Sequence, residues 1–287
     1  MQIKNIYPDW GTEFTDMSDI FEQSPTALRT LLYKRKMLVF HAPDWDKLTY
    51  WKFCKLWGEP WTAKNYHDST EKWELVLDPA APEEPKFITA MSNKISRRLA
   101  DKEMPWHADI ANRVDGGIQF PHRIIYMKTV PNPAAGLTVW LDMEKAYPQV
   151  HPKLRARWEA RTVVQQNWHH LGKDLIEWPS MKQQPITGKW SPRCNFHGTT
   201  DSWIIDTKVD GKSMGTGIVE ELMEAMAAVP ECVYTHTWSP NDMVLYDNWP
   251  FVHRRTQLDL KGEDERLMWR CNIDHDETLK EKLYGTK

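Results

Sequence analysis

The 287-residue chain has no CxxC pair: its four cysteines, Cys54, Cys194, Cys232 and Cys271, are scattered singly. That spacing excludes a zinc ribbon or a dense disulfide framework, and free thiols in a reducing cytosol are the simplest reading. No apolar run reaches the roughly 20 residues needed to span a bilayer. The opening stretch MQIKNIYPDWGTEF has no apolar core for a signal peptide, so we expect a cytoplasmic protein with no membrane partner. Excess positive charge is also missing: 37 Lys and Arg against 40 Asp and Glu leave a formal charge of −3, which disfavours a nucleic-acid partner. Neither a GxGxxG nor a Walker loop occurs, and there is no internal repeat or low-complexity segment. The composition, 41% hydrophobic and 27% charged, is that of an ordinary globular chain. One residue type is in excess: 16 tryptophans.

Local patterns organise the chain. Ser24-Pro25 reads as an N-cap followed by a first-turn proline, with Leu28, Leu31 and Leu32 on one helix face and Lys34 to Lys36 at the end. Met37 to Phe40 reads as a buried strand, and a second helix carries Tyr50, Phe53, Leu56 and Trp57 up to Gly58. From 61 to 105 the periodicity dissolves around Pro79, Pro82 and Pro85, the mark of a long loop with a functional purpose. Strand-like runs return at Arg123 to Lys128 and Leu137 to Leu141. A helical insertion is expected over about 145–232, with its clearest helix at Thr216 to Val229, where Ile218, Leu222, Met226 and Val229 recur at helical spacing. Strands resume at Tyr234 to Trp238, Met243 to Tyr246 and Arg266 to Ile273, with a hairpin expected over Thr256 to Glu265. Strands in the middle and at the end, with helices elsewhere, suit a mainly β core flanked by helices (α+β) rather than βαβ units.

His107-Ala108-Asp109 is the first chemical candidate, because residues i and i+2 of an extended chain share a face and can aim an imidazole and a carboxylate at one point. With one more histidine these donors form the facial triad of non-haem Fe(II) oxygenases, which leaves positions open for co-substrate and dioxygen. Alone the triplet decides nothing, since a chain of this composition carries about one by chance.

The end of the chain adds the missing parts. Asn241-Asp242, Asp247-Asn248, His253, Arg266 and Arg270 follow in order. Here the sequence resembles the TauD/TfdA family of Fe(II)/2-oxoglutarate-dependent dioxygenases. In that family an HxD pair is followed by a GD…DN…H segment and an RxxxR strand. Gly136-Leu137-Thr138-Val139-Trp140 occupies the place of the family's GDTxW strand, and Leu38-Val39-Phe40 with Trp57-Gly58-Glu59 matches its N-terminal signature. The resemblance spans about residues 25–273. Departures are Asn241 where glycine is usual, Leu137 for the Asp of GDT, and a His253-to-Arg266 interval of 13 residues, slightly longer than in the taurine enzyme.

The resemblance implies a double-stranded β-helix (a jelly-roll, cupin-like core) forming a single domain over 1–287. It would have N-terminal helices at about 20–60 and a specificity loop at about 61–105. It implies Fe(II) held by His107, Asp109 and His253, and 2-oxoglutarate held by Thr138 and Arg266. Arg270 would contact an anionic group of the substrate. His67 falls where relatives carry a loop over the active site, and Trp106 beside the first ligand either walls the pocket or packs in the core. The carboxylate of Asp109, where family halogenases have Gly or Ala, implies hydroxylation or desaturation. Partners would be a small-molecule substrate and dioxygen; a homo-oligomer is compatible with the sequence. The alternative is a non-catalytic cupin-like module binding a small molecule or sugar. Trp45, Trp51, Trp57, Trp61 and Trp73 would be its stacking platform, or else core. A zinc hydrolase could use the same three donors but needs neither Thr138 nor Arg266.

Overall fold

In a computed structural model, the described residues are 2–60, 72–80, 86–94, 103–109, 121–167, 174–194 and 202–273. The first half contains β1 (Gln2–Asn5), β2 (Thr12–Asp16), α1 (Pro25–Arg35), β3 (Met37–His41), α2 (Lys47–Lys55), β4 (Lys72–Val76), β5 (Lys86–Ser92), β6 (Met104–His107), β7 (His122–Thr129) and β8 (Thr138–Asp142). Then come α3 (Met143–Ala146), α4 (Pro152–Glu159), β9 (Thr162–Asn167), β10 (Asp174–Pro179), β11 (Met181–Gln183), β12 (Trp190–Pro192), β13 (Ser202–Val209), β14 (Lys212–Ser213) and α5 (Gly217–Ala227). The chain closes with β15 (Val233–His236), β16 (Asp242–Asp247), β17 (Phe251–Arg255) and β18 (Leu267–Ile273).

Two sheets face each other. Among the described residues the larger runs β1-β2-β3-β16-β7-β18-β5-β4 and the smaller β15-β8-β17-β6. The connections β16 to β17 and β17 to β18 each cross from one sheet to the other, the pattern of a jelly roll. The stretch Thr256 to Glu265 is therefore a sheet crossing and not the expected hairpin. Asn241, in the turn before β16, has φ +71°, the left-handed conformation that glycine or asparagine tolerates.

Alternation sorts the strands' side chains into three layers. Ile124, Tyr126, Leu245 and Trp269 leave the outer face of the large sheet and pack against Leu28 and Leu32 of α1 and Tyr50 and Phe53 of α2. The Ser24 cap read from the sequence holds α1, its Oγ accepting from the Ala27 amide, and the structure adds a cap on α2, where Asp46 Oδ1 accepts from the Thr49 amide. On the outer face of the small sheet, Leu141 and Val252 pack against α3, α4 and α5, with Leu222 and Met226 of α5 inward. Between the sheets Ile125, Met127, Val244, Trp140, Trp238 and Phe251 fill one end of the lumen. Each large buried side chain contributes about 1.5–3 kcal/mol.

Three expectations need correction. The span 145–232 holds three helices but is not a helical insertion: β9, β10, β13 and β14 form a sheet of their own, and β11 pairs with β12. The reading failed because helix α4 ends at Glu159 and the β-branched Val163-Val164 pair with partners some 40 residues away in β13. The span 61–105 carries β4, β5 and the first half of β6, and the interspersed charges of β4 and β5 hid the alternation. Finally, β1 and β2 extend the edge of the large sheet before the first helix.

Candidate metal centre and co-substrate pocket

His107 closes β6 and His253 lies within β17, and antiparallel pairing sets the two directly opposite each other. Their ring centroids are 4.2 Å apart. The chain turns immediately after β6, which brings Asp109 back over the pair. Potential ligand atoms of His107, Asp109 and His253 all lie within 4.8 Å of one another. His107 Nε2 is 3.9 Å from Asp109 Oδ1, and His253 Nε2 is 3.4 Å from Oδ2. All three side chains are buried.

The surroundings aim these donors. His107 Nδ1 donates to the Pro105 carbonyl at 2.7 Å, which leaves the lone pair on Nε2, the atom facing the aspartate. The His253 ring lies nearly parallel to Trp140 at 6.2 Å and edge-on to Tyr246 at 5.7 Å. Asp109 Oδ2 accepts from the Tyr246 hydroxyl at 2.8 Å and from the guanidinium of Arg123. Asn248 Nδ2 donates to the Asp109 carbonyl at 2.8 Å, and Arg123 Nε donates to Asn272 Oδ1 at 2.9 Å. Tyr246, Arg123 and Asn272 stand in one row on the inner face of the large sheet. That row grips the carboxylate from across the lumen.

Burial and charge then set the protonation states. Burial alone would raise the Asp109 carboxyl, but Arg123, then His253 and His107, outweigh it and hold the group ionised, far below the usual carboxylate range. Burial pushes His253 down to about 3 and lowers His107, in each case against the attraction of Asp109. Two neutral imidazoles and one carboxylate at neutral pH are the donor set that a divalent first-row metal takes without displacing protons. The site fits Fe(II).

A second polar group lies further along the lumen. Thr138 opens β8 opposite Arg255 of β17, two residues along from the Trp140–His253 pair, a spacing of about 7 Å. Thr138 Oγ1 accepts from Trp238 Nε1 at 2.9 Å. Arg266 Nη2 donates to the Gly136 carbonyl at 3.3 Å, and the Arg266 amide donates to Asn93 Oδ1 at 2.8 Å. Gly136 has φ +65°, and a Cβ there would lie 2.4 Å from Leu258 Cδ2 and 3.4 Å from Arg266 Nε. Only glycine lets the turn lie this close to the arginine. Burial, then the neighbouring cation Arg255, pushes Arg266 down to about 9, so it stays charged at neutral pH.

Arg270 is buried on the inner face of β18, in register with Ile125 and Thr89. Its charge helps hold both Asp109 and His253 low, which places it beside the donor set. Trp106 is not brought to the site. It leaves β6 on the face opposite His107 and packs against the helical layer, with Arg254 over its ring at 5.3 Å. His67 lies outside the described residues. The tryptophans favour packing over a stacking platform: Trp10, Trp57, Trp140, Trp158 and Trp238 are fully buried, and Trp51 is nearly so. Trp45 packs on Phe53 and Tyr126. Trp61, like His67, is not described. Cys54, Cys194, Cys232 and Cys271 are free and buried. No helix among the described residues is long and apolar enough to cross a membrane.

Sequence reasoning missed Arg123, Tyr246, Asn248 and Asn272. A signal was available: Arg123 is a charged residue at the inward position of a strand whose next inward residues are Ile125 and Met127.

Comparison with known proteins agrees with the geometry. Residues 2–272 match the profile described as "Taurine catabolism dioxygenase TauD, TfdA family". An (S)-phenoxypropionate/alpha-ketoglutarate dioxygenase of Sphingobium herbicidovorans is 26% identical over 199 residues, which is 62% of this chain and 65% of that protein. The match thus spans just under two thirds of that relative. A solved taurine dioxygenase from Burkholderia xenovorans superposes with a TM-score of 0.66 at 18% identity, covering 96% of this chain and 91% of the other. AAD-2, solved with Mn(II) and N-oxalylglycine, gives a TM-score of 0.67 at 17% identity, covering 96% and 98%. These likenesses carry the fold, and the profile match carries the classification. The chain belongs to the TauD/TfdA family of Fe(II)- and 2-oxoglutarate-dependent dioxygenases.

Proposed function

We propose that the protein binds Fe(II) through His107, Asp109 and His253 and 2-oxoglutarate through Arg266 and Thr138, and hydroxylates a C–H bond of a small organic anion. Substrate R–H, dioxygen and 2-oxoglutarate become R–OH, succinate and carbon dioxide. The bound iron supplies the redox chemistry that couples the two oxidations. One observation carries the reading: a neutral His pair and an ionised Asp converge on one point, and two strand residues further along stands Thr138, next to the Gly136 turn that the buried Arg266 touches. A five-carbon 2-oxo diacid is long enough to bridge the two.

The chain's own residues position and shield. Arg266 offers a planar fork that matches a carboxylate bidentately, and Thr138 adds a hydroxyl. Tyr246 and Arg123 occupy Asp109 Oδ2, so the carboxylate cannot rotate freely when the metal arrives. The apolar lumen of Val244, Ile125, Trp140 and Phe251 keeps the site dry from below. Arg270, beside the donor set, is the candidate counter-charge for the substrate. The relatives named above for phenoxypropionate and for taurine act on a carboxylate and a sulfonate, which agrees with an anionic substrate.

The test is a panel of sulfonates, aryloxyalkanoates and amino acids incubated with the Fe(II)-loaded protein, read by succinate release and oxygen uptake. Asp109→Asn, which keeps the shape but not the charge, is expected to abolish both signals and metal binding. Full activity in that variant would remove the proposal.

A further inference from the structure

Arg255 is left unassigned by this reading, yet it is built into the same pocket. It lies two residues beyond His253 on β17 and so leaves the strand on the same face. It is 7% exposed. Across the small sheet its partner is Thr138, and against β6 the register shifts between His253 and Arg255, from His107 to Met104. The extra residue lies on β6, so Arg255 keeps its regular place opposite Thr138. Arg255 also acts as a cation on Arg266, so two guanidinium groups crowd one end of the lumen. Arg255 therefore sets a second positive charge on the face that carries the Thr138 hydroxyl.

We infer that Arg255 is a second arm of the co-substrate clamp, so that the distal carboxylate of 2-oxoglutarate is received by Arg255, Arg266 and the Thr138 hydroxyl together. The inference rests on the co-substrate assignment made above for Arg266 and Thr138. It goes further in one respect: the pocket discriminates a 2-oxo diacid from a 2-oxo monoacid with two cations instead of one.

Binding can be read without turnover by anaerobic calorimetry on the Mn(II)-loaded protein, titrated with 2-oxoglutarate or with 2-oxopentanoate, which lacks the distal carboxylate. In Arg255→Met, 2-oxoglutarate is expected to bind about 10- to 100-fold more weakly, while 2-oxopentanoate stays within about threefold of the unsubstituted protein. Arg255→Lys, which restores charge without the fork, is expected to fall between the two for 2-oxoglutarate. It carries the test alone if the methionine variant does not fold. Equal weakening of both ligands points to a structural role and overturns the inference, as does unchanged affinity for 2-oxoglutarate. Arg266→Met separates the two levels of the argument. If it weakens 2-oxoglutarate binding and Arg255→Met does not, only the second arm is lost; if neither variant has an effect, the co-substrate assignment itself falls.

Discussion

Substituting Arg266 by methionine is the most informative single perturbation of the pocket. In the folded protein this guanidinium is buried, touches the Gly136 carbonyl, and has Arg255 as its charged neighbour. Removing one partner of a desolvated, hydrogen-bonded charge pair costs about 2–5 kcal/mol. At 1.4 kcal/mol per decade, the lower half of that range corresponds to roughly 30- to 300-fold weaker binding of 2-oxoglutarate. The lower half applies because Arg255 still supplies positive charge. The pH dependence has a defined sign. Arg266 is pushed down to about 9, so the free protein keeps the proton at pH 7–8 and loses it as the pH passes that value. Bound carboxylate holds the proton on, so affinity is expected to be flat up to about pH 8.5 and then to fall by up to tenfold per pH unit. In Arg266→Lys the same burial acts on a side chain whose ordinary value is about 10.4, and the alkaline limb is expected to move toward neutrality. Calorimetric titration of the Mn(II)-loaded protein with 2-oxoglutarate across pH 6.5–10 measures all three effects. Affinity retained within threefold in Arg266→Met would mean that this arginine is not the anion's counter-charge.

The other perturbations address the neighbours. Arg123→Met removes the cation that Asp109 Oδ2 meets, at a cost of about 3–5 kcal/mol for a broken buried pair. A melting temperature lower by about 6 °C or more is expected, partly recovered by added Mn(II), which replaces the lost charge; an unchanged melting curve contradicts the pairing. Gly136→Ala forces a side chain into a φ of +65° and against Leu258. A loss of about 1–3 kcal/mol by denaturant titration is expected, together with weaker 2-oxoglutarate binding through displacement of Arg266. Trp106→Leu changes packing on the outer face of the small sheet and is expected to lower stability by about 1–3 kcal/mol while leaving KM values unchanged. A large rise in KM for the prime substrate would put the ring back in the pocket.

Legibility in the sequence followed the range of the interaction involved. Helix α1 declared itself through the Ser24 cap and one apolar face, and α2 through its apolar residues and the stop at Gly58, because a helix is closed by bonds within its own segment. Strands β9 and β13 did not, since their partners are distant in the chain and a short run such as Thr162–Asn167 has no period that excludes a helix. Asp109 and His107 were visible as an extended HxD pair. Arg123 was not, because alternation divides a strand into two faces without saying which one looks into the lumen. Trp106 was undecided for the same reason.

By itself the sequence determined the kinds of donor, their order and the helices that cap locally, because those depend on residue chemistry and on neighbours a few positions away. The tertiary structure alone decided that His253 stands opposite His107, that Arg123 closes on Asp109 and that Arg255 faces Thr138. These pairs lie 14 to 146 positions apart in the chain, so none follows from local sequence. The protonation states also waited for the fold, because burial lowers both imidazoles while Arg123 and the neighbouring positive groups hold the Asp109 carboxylate ionised against its own burial.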